Sequence, residues 1–96
     1  MAIIDEHSLK RMLRAFYSIK ASAEQSASYS MLDTITDIEN AIKQSKISAK
    51  QRQRLNYWMD GYTSKQIAEL EHKGERVINQ SLLTACQKIV IYLKGE

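Results

Sequence analysis

Proline is absent from this 96-residue chain, and glycine occurs only at Gly61, Gly74 and Gly95. A chain with so few breakers favours helices that end at just those points. There is a single cysteine, Cys86, which excludes an internal disulfide and is too few for a structural zinc site. It falls inside a helical pattern beside Ala85 and Ile89, where it reads as a small buried apolar residue and not as a reactive thiol. No run approaches the ~20 apolar residues that span a bilayer, and the N-terminus lacks a basic-then-apolar leader pattern. The expectation is a cytoplasmic protein with no membrane partner. The two histidines, His7 and His72, are isolated, and no Ser/His/Asp set, Cys/His set or phosphate loop is present. The acids Asp33, Asp37 and Glu39 match no full metal-ligand set and read as a solvated helix face. The chain therefore reads as a non-enzyme, with no catalytic residues, metal or other cofactor.

What is present is charge, and it is unevenly placed. Lys plus Arg number 14 against 11 Asp plus Glu, a net charge of +3. From Ser48 onward there are eight basic and five acidic residues, while the earlier residues balance at six and six. A mild basic bias of this kind suits nucleic acid without requiring it. The length fits one domain that buries about 60–65% of its unfolded surface, so the core is adequate but not generous.

Hydrophobic spacing predicts an all-α bundle of about five helices. Residues 5 to about 20 form one amphipathic helix, with Leu9, Met12, Leu13, Phe16 and Ile19 on one side and Lys10, Arg11 and Arg14 on the other, a face that reads as solvated in preference to phosphate-contacting. Asp5 and Glu6 stand at its start, where negative charge suits the helix dipole. Ala21 to Ser30 could join two helices or continue one, because Ala23, Ala27 and Met31 prolong the stripe. Its four serines are weak helix formers and favour two. From Ser30 to Gln44 the pattern is helical, with Met31, Leu32, Ile35, Ile38, Ala41 and Ile42 on one face. Ser48-Ala49-Lys50-Gln51 is a capping box, and its helix runs to Asp60 before Gly61 as a left-handed cap. Leu55, Trp58 and Met59 face inward, with Trp58, the one tryptophan, anchoring the core.

The stretch from Tyr62 to Leu93 organises the rest. Thr63 and Gln66 form a second capping box, and Ile67, Ala68 and Leu70 give a short helix its apolar side. After Glu71-His72-Lys73-Gly74, Ile78, Leu82, Ala85, Ile89 and Leu93 form a second helical stripe. The small Ala68 and the branched Ile78, ten positions apart, suit two helices crossing steeply over a short turn. This is a helix-turn-helix pattern. Val90 and Tyr92 fall outside that stripe and call for a second surface, either the N-terminal helices or another subunit. Two parts are expected: an N-terminal helical extension over 1–47 and a helix-turn-helix domain over 48–96.

At Ile47-Ser48, Gly61-Tyr62-Thr63, Gln66-Ile67-Ala68 and the run Ile78-Asn79-Gln80-Ser81-Leu82-Leu83-Thr84-Ala85-Cys86-Gln87-Lys88-Ile89 the chain resembles region 4 of sigma-70 factors. It is similar there to the small sigma-like transcription regulators of phages and prophages. The resemblance covers about the last half of the chain. Glu71 departs from the large apolar residue usual in that family, and His72 from the usual turn glycine; His72 could contact a phosphate but reads better as simply exposed. Such a resemblance implies a sequence-specific regulator of double-stranded DNA, with RNA polymerase as a further candidate partner.

A helix-turn-helix offers the first turns of its second helix to the major groove, while basic and backbone groups hold phosphates. With the register set by Ala68 and Ile78, the base-reading candidates are Glu75, Arg76, Asn79, Gln80 and Leu83. The phosphate-contacting candidates are Thr63, Ser64, Lys65 and Lys73, with Lys50 and Arg54 from the preceding helix. A homodimer through the N-terminal helices and Val90/Tyr92 is the expected assembly if the protein acts on an operator. The alternative is a protein-interaction module that docks on RNA polymerase or another regulator and binds DNA little, favoured by Glu71, Glu75 and an exposed Leu83.

Overall fold

Asp5 opens the first helix by accepting the Ser8 amide at 2.7 Å, and Glu6 adds negative charge in the first turn. The structure, a computed structural model, describes the backbone of residues 5–26 and 29–95, with side chains over the same ranges except at 26 and 29–31. Six helices follow in order: α1 (Glu6–Arg14), α2 (Phe16–Ser26), α3 (Tyr29–Gln44), α4 (Ala49–Met59), α5 (Ser64–Glu71) and α6 (Glu75–Leu93). No strand occurs among the described residues. Both expected capping boxes are formed, Ser48 with Gln51 and Thr63 with Gln66.

The sixth helix arises because the expected helix over 5–20 breaks at Ala15. Neither glycine nor proline marks the place. The Ala15 amide bonds back to the Met12 carbonyl at 3.0 Å, and the Ala15 carbonyl accepts from Ile19 at 2.9 Å, so the chain re-enters a helix at once. The bend lets α1 lie on α6 and α4 while α2 packs on α3, which one straight helix would not do. Lys20 meets Glu39 at 3.1 Å. In one continuous helix these residues would stand about 28 Å apart, so α2 and α3 are two helices folded back on one another. Ala27 lies outside the described residues, as does the side chain of Met31.

The long α6 is the centre of the packing, covered by α1, α3, α4 and α5. Its residues Ile78, Leu82, Ala85, Cys86, Ile89 and Val90 are all buried. A single core cluster takes in side chains of all six helices, including Leu9, Phe16, Ile38, Leu55 and Ile67. That cluster bridges 1–47 and 48–96. Val90 finds its second surface within the chain, whereas Tyr92 stays 42% exposed.

The connections around α5 are built from local chemistry. After α4 the Tyr62 amide reaches the Tyr57 carbonyl at 3.0 Å and the Gly61 amide reaches Trp58 at 3.1 Å, with Gly61 at φ +103°. This is a Schellman closure, and the Tyr57 and Tyr62 rings, 5.0 Å apart, supply its apolar contact. After α5 the same pattern recurs, Lys73 to Ala68 at 2.9 Å and His72 to Glu69 at 3.3 Å. Here the left-handed position at φ 55° is held by His72, a non-glycine residue. The turn closes at a conformational cost.

The inward face of α5 differs from the apolar reading. Ser64, Ile67 and Ala68 are buried with Glu71 beside them, the i, i+3, i+4, i+7 set, and Leu70 is 54% exposed. Glu71 is held by Arg54 of α4: Nε lies 3.1 and 3.0 Å from the two carboxylate oxygens and Nη2 lies 2.7 Å from Oε1. Arg54 Nη1 donates to Ser81 Oγ of α6 at 2.8 Å, so one guanidinium ties three helices. The side chains of Arg54 and Glu71 are only 10% and 8% exposed. Hydrogen bonding from Arg54 is the main cause that holds the Glu71 carboxyl below its ordinary value, with the charges of Arg54 and Lys50 adding to it.

A folded-state carboxyl held low stabilises the fold above its ordinary value, near 4.5, and loses that contribution as pH falls through the lowered one. Glu71→Gln should therefore lower stability by about 2 kcal/mol at neutral pH, a difference from wild type that narrows in acid. Urea unfolding at pH 7 and below pH 4 reads both effects. His72→Gly should raise stability by about 1 kcal/mol, because glycine removes the left-handed strain of an exposed residue; the unfolding midpoint measures it.

Candidate nucleic-acid interface

The turn from His72 to Gly74 sets the first residues of α6 at the surface. Gly74 is the N-cap and offers no side-chain acceptor, so the opening amides of α6 have no side-chain cap. Glu75, Arg76 and Gln80 are exposed, as are Lys65 and Lys73 nearby in sequence. Thr63 is exposed at the N-cap of α5, where its hydroxyl accepts from the Gln66 amide at 3.1 Å. Lys50 is exposed and also approaches Glu71 at 3.6 Å.

Four of the sequence candidates are placed otherwise. Arg54 is not presented to a phosphate, because Glu71 and Ser81 take up its guanidinium. Ser64 is buried and donates its hydroxyl to Asn79 Oδ1. Asn79 is half-buried, and its oxygen also accepts from Lys10 Nζ of α1 at 3.3 Å. A bidentate reading of adenine needs that same oxygen. Leu83 is half-buried. Glu71, read as a feature favouring protein docking, is instead spent inside the fold.

Sequence reasoning missed the second wall of this surface. A cleft of about 440 Å³ runs beside the start of α6, between His7 and Lys10 of α1 on one side and Glu75, Arg76, Gln80 and Leu83 on the other. Trp58 anchors α1 there. Its Nε1 donates to the Lys10 carbonyl at 2.9 Å, while Lys10 Nζ and Arg14 Cζ stand 5.0 and 4.7 Å from the ring centroid. Arg14 also donates to the carbonyl of Tyr62, next to the α5 N-cap. The signal was present as His7, Arg11 and Arg14 at i, i+4, i+7, one face of a helix beside Lys10. Periodicity identifies such a face, but not what lies next to it.

Cys86 is fully buried, and burial pushes its thiol up to about 12, far from a thiolate at neutral pH. Among the described residues no group of three or more His, Cys, Asp and Glu could hold a metal ion, and no helix is long and apolar enough to cross a membrane. Comparison with family models, curated proteins and solved structures returns no match to this chain.

The separation of structural from exposed residues has a direct consequence. Asn79→Ala should cost about 1 kcal/mol of stability without any ligand, since it removes the acceptor of Ser64 and Lys10. Gln80→Ala, one position on and exposed, should stay within about 0.5 kcal/mol of wild type. Thermal unfolding of the two variants checks this.

Proposed function

We propose that this chain is a cytoplasmic, sequence-specific DNA-binding transcription regulator of the sigma region 4-like phage or prophage kind, acting by binding and not by catalysis. The observation that carries the reading is the short turn after α5, which leaves Glu75, Arg76 and Gln80 exposed on the first two turns of α6. On this reading Arg76 pairs with a guanine edge or a phosphate, Gln80 with adenine and Glu75 with cytosine, each good contact giving about 1–3 kcal/mol of discrimination. Thr63, Lys65, Lys73 and Lys50 hold the phosphates. Asn79 and Ser64 orient α6 and are left out of the reading set. Few base contacts give specificity only with a second point of attachment, either a homodimer or contact with RNA polymerase.

Docking on a protein is the second reading, and one observation favours it. Leu70 and Val77, on either side of the turn, are 54% and 50% exposed. Genomic DNA pull-down with sequencing separates the two. Wild type should enrich one motif, and an Arg76→Ala/Gln80→Ala variant should lose it while keeping its fold. Recovery of polymerase or another regulator with no enriched DNA would overturn the DNA reading in favour of docking.

A further inference from the structure

We propose that α1 is part of the nucleic-acid surface: its basic face, His7 and Arg11 with Lys10 and Arg14 at the seam, contacts the phosphate backbone of double-stranded DNA seated on α6. The inference rests on the DNA-binding reading and adds to it a surface outside the helix-turn-helix.

Three observations place this face beside the DNA-reading residues. The first is the cleft whose walls are His7 and Lys10 on α1 and Glu75, Arg76 and Gln80 on α6. A duplex resting on the outward side of α6 meets the α1 wall, because the two are the sides of one groove. The second is the fixed position of α1. Leu9 and Leu13 are fully buried, Trp58 holds the Lys10 carbonyl, and Lys10 reaches Asn79. The wall is thus part of the folded core and not a loose arm, so its charges are held in place before any ligand arrives. The third is continuity. Arg14 bonds to the Tyr62 carbonyl immediately before the α5 N-cap, Thr63. Basic groups therefore follow one another from His7 through Arg11 and Arg14 to the start of α5, where Lys65 is exposed. Of the two acids near the start of α1, Asp5 caps the helix through Ser8 and feels the nearby charges of His7 and Arg11, and Glu6 accepts from Gln87.

Lys10 and Arg14 have partners on other elements, whereas His7 and Arg11 are exposed, Arg11 donating within its own helix to Ser8 Oγ at 3.4 Å. The exposed pair therefore reports on phosphate binding without disturbing the packing. Removing one cation that neutralises a phosphate flattens the plot of log affinity against log salt by about 0.9, or roughly threefold in affinity across a fourfold change of salt.

The test is fluorescence-polarisation binding of a mixed-sequence duplex of about two helical turns, over a salt series, to wild type and three variants. His7→Gln/Arg11→Gln should weaken binding at low salt by at least threefold and reduce the salt slope by about one. Lys94→Gln, the removal of a cation near the far end of α6, should leave the slope unchanged. Arg76→Ala/Gln80→Ala reports on the DNA reading itself. If that variant loses affinity while His7→Gln/Arg11→Gln keeps wild-type affinity and slope, α1 does not touch the duplex and the proposal fails alone. Tighter binding by His7→Gln/Arg11→Gln would also overturn it, and would mark α1 as a cover over α6. A wild type that binds no duplex at low salt overturns both readings together.

Discussion

Arg54 and Glu71 meet near the surface but almost wholly screened from water, and the aim of α6 depends on that meeting. A carboxylate placed on the inward face of α5 would be destabilising alone; with a bidentate guanidinium it becomes a fixed point. Because the same guanidinium reaches Ser81, the fixed point is shared with α6. At the other end of α5, Ser64 bonds to Asn79. Apolar contact of Ile67 and Ala68 with the α6 stripe supplies adhesion between these two polar clamps, but adhesion is non-directional. Hydrogen bonds at both ends set the crossing, and with it the direction in which Arg76 and Gln80 point.

The exposed and buried members of the helix-turn-helix thus divide the work. Residues that could each have read a base or a phosphate by chemical type are split by position into those that aim α6 and those that are left outward. Asn79 and Ser64 belong to the first group, Arg76, Gln80 and Lys65 to the second. Around α6, burial is supplied by α1, α3, α4 and α5 together, so the second helix of the unit is also the centre of the core. Its orientation is consequently coupled to the packing of the whole chain.

Much of this was legible in the sequence. Both capping boxes, the glycine closure at Gly61 and the α6 stripe follow from short-range rules that act over three to seven residues, and each is present. Trp58 as a core anchor was legible too, because a lone large aromatic seldom lacks such a role. What was not legible involves choices between faces of equal spacing. Leu70 and Glu71 are neighbours, and hydrophobicity favours Leu70 as the inward one; the structure turns Glu71 inward because Arg54, seventeen residues earlier, is there to receive it. Ala15 carries no breaker signal, and the bend there follows from the different partners of α1 and α2. The wall that α1 builds beside α6 depends on contacts across 69 residues, which no local pattern encodes.

That long separation also shapes how the chain comes to be folded. Of the six helices α1 is made before the rest, yet it has partners on α6, which follows all the others: Lys10 waits for Asn79 and Glu6 for Gln87. Until α6 has been made, Leu9 and Leu13 lack a main part of their final surroundings, and the loop that must close to dock them runs through α2 to α5. Helices α4, α5 and α6, joined by short turns and neighbours in sequence, can assemble first. Helix α1 then closes the structure, laying its basic face beside an α6 that is already aimed.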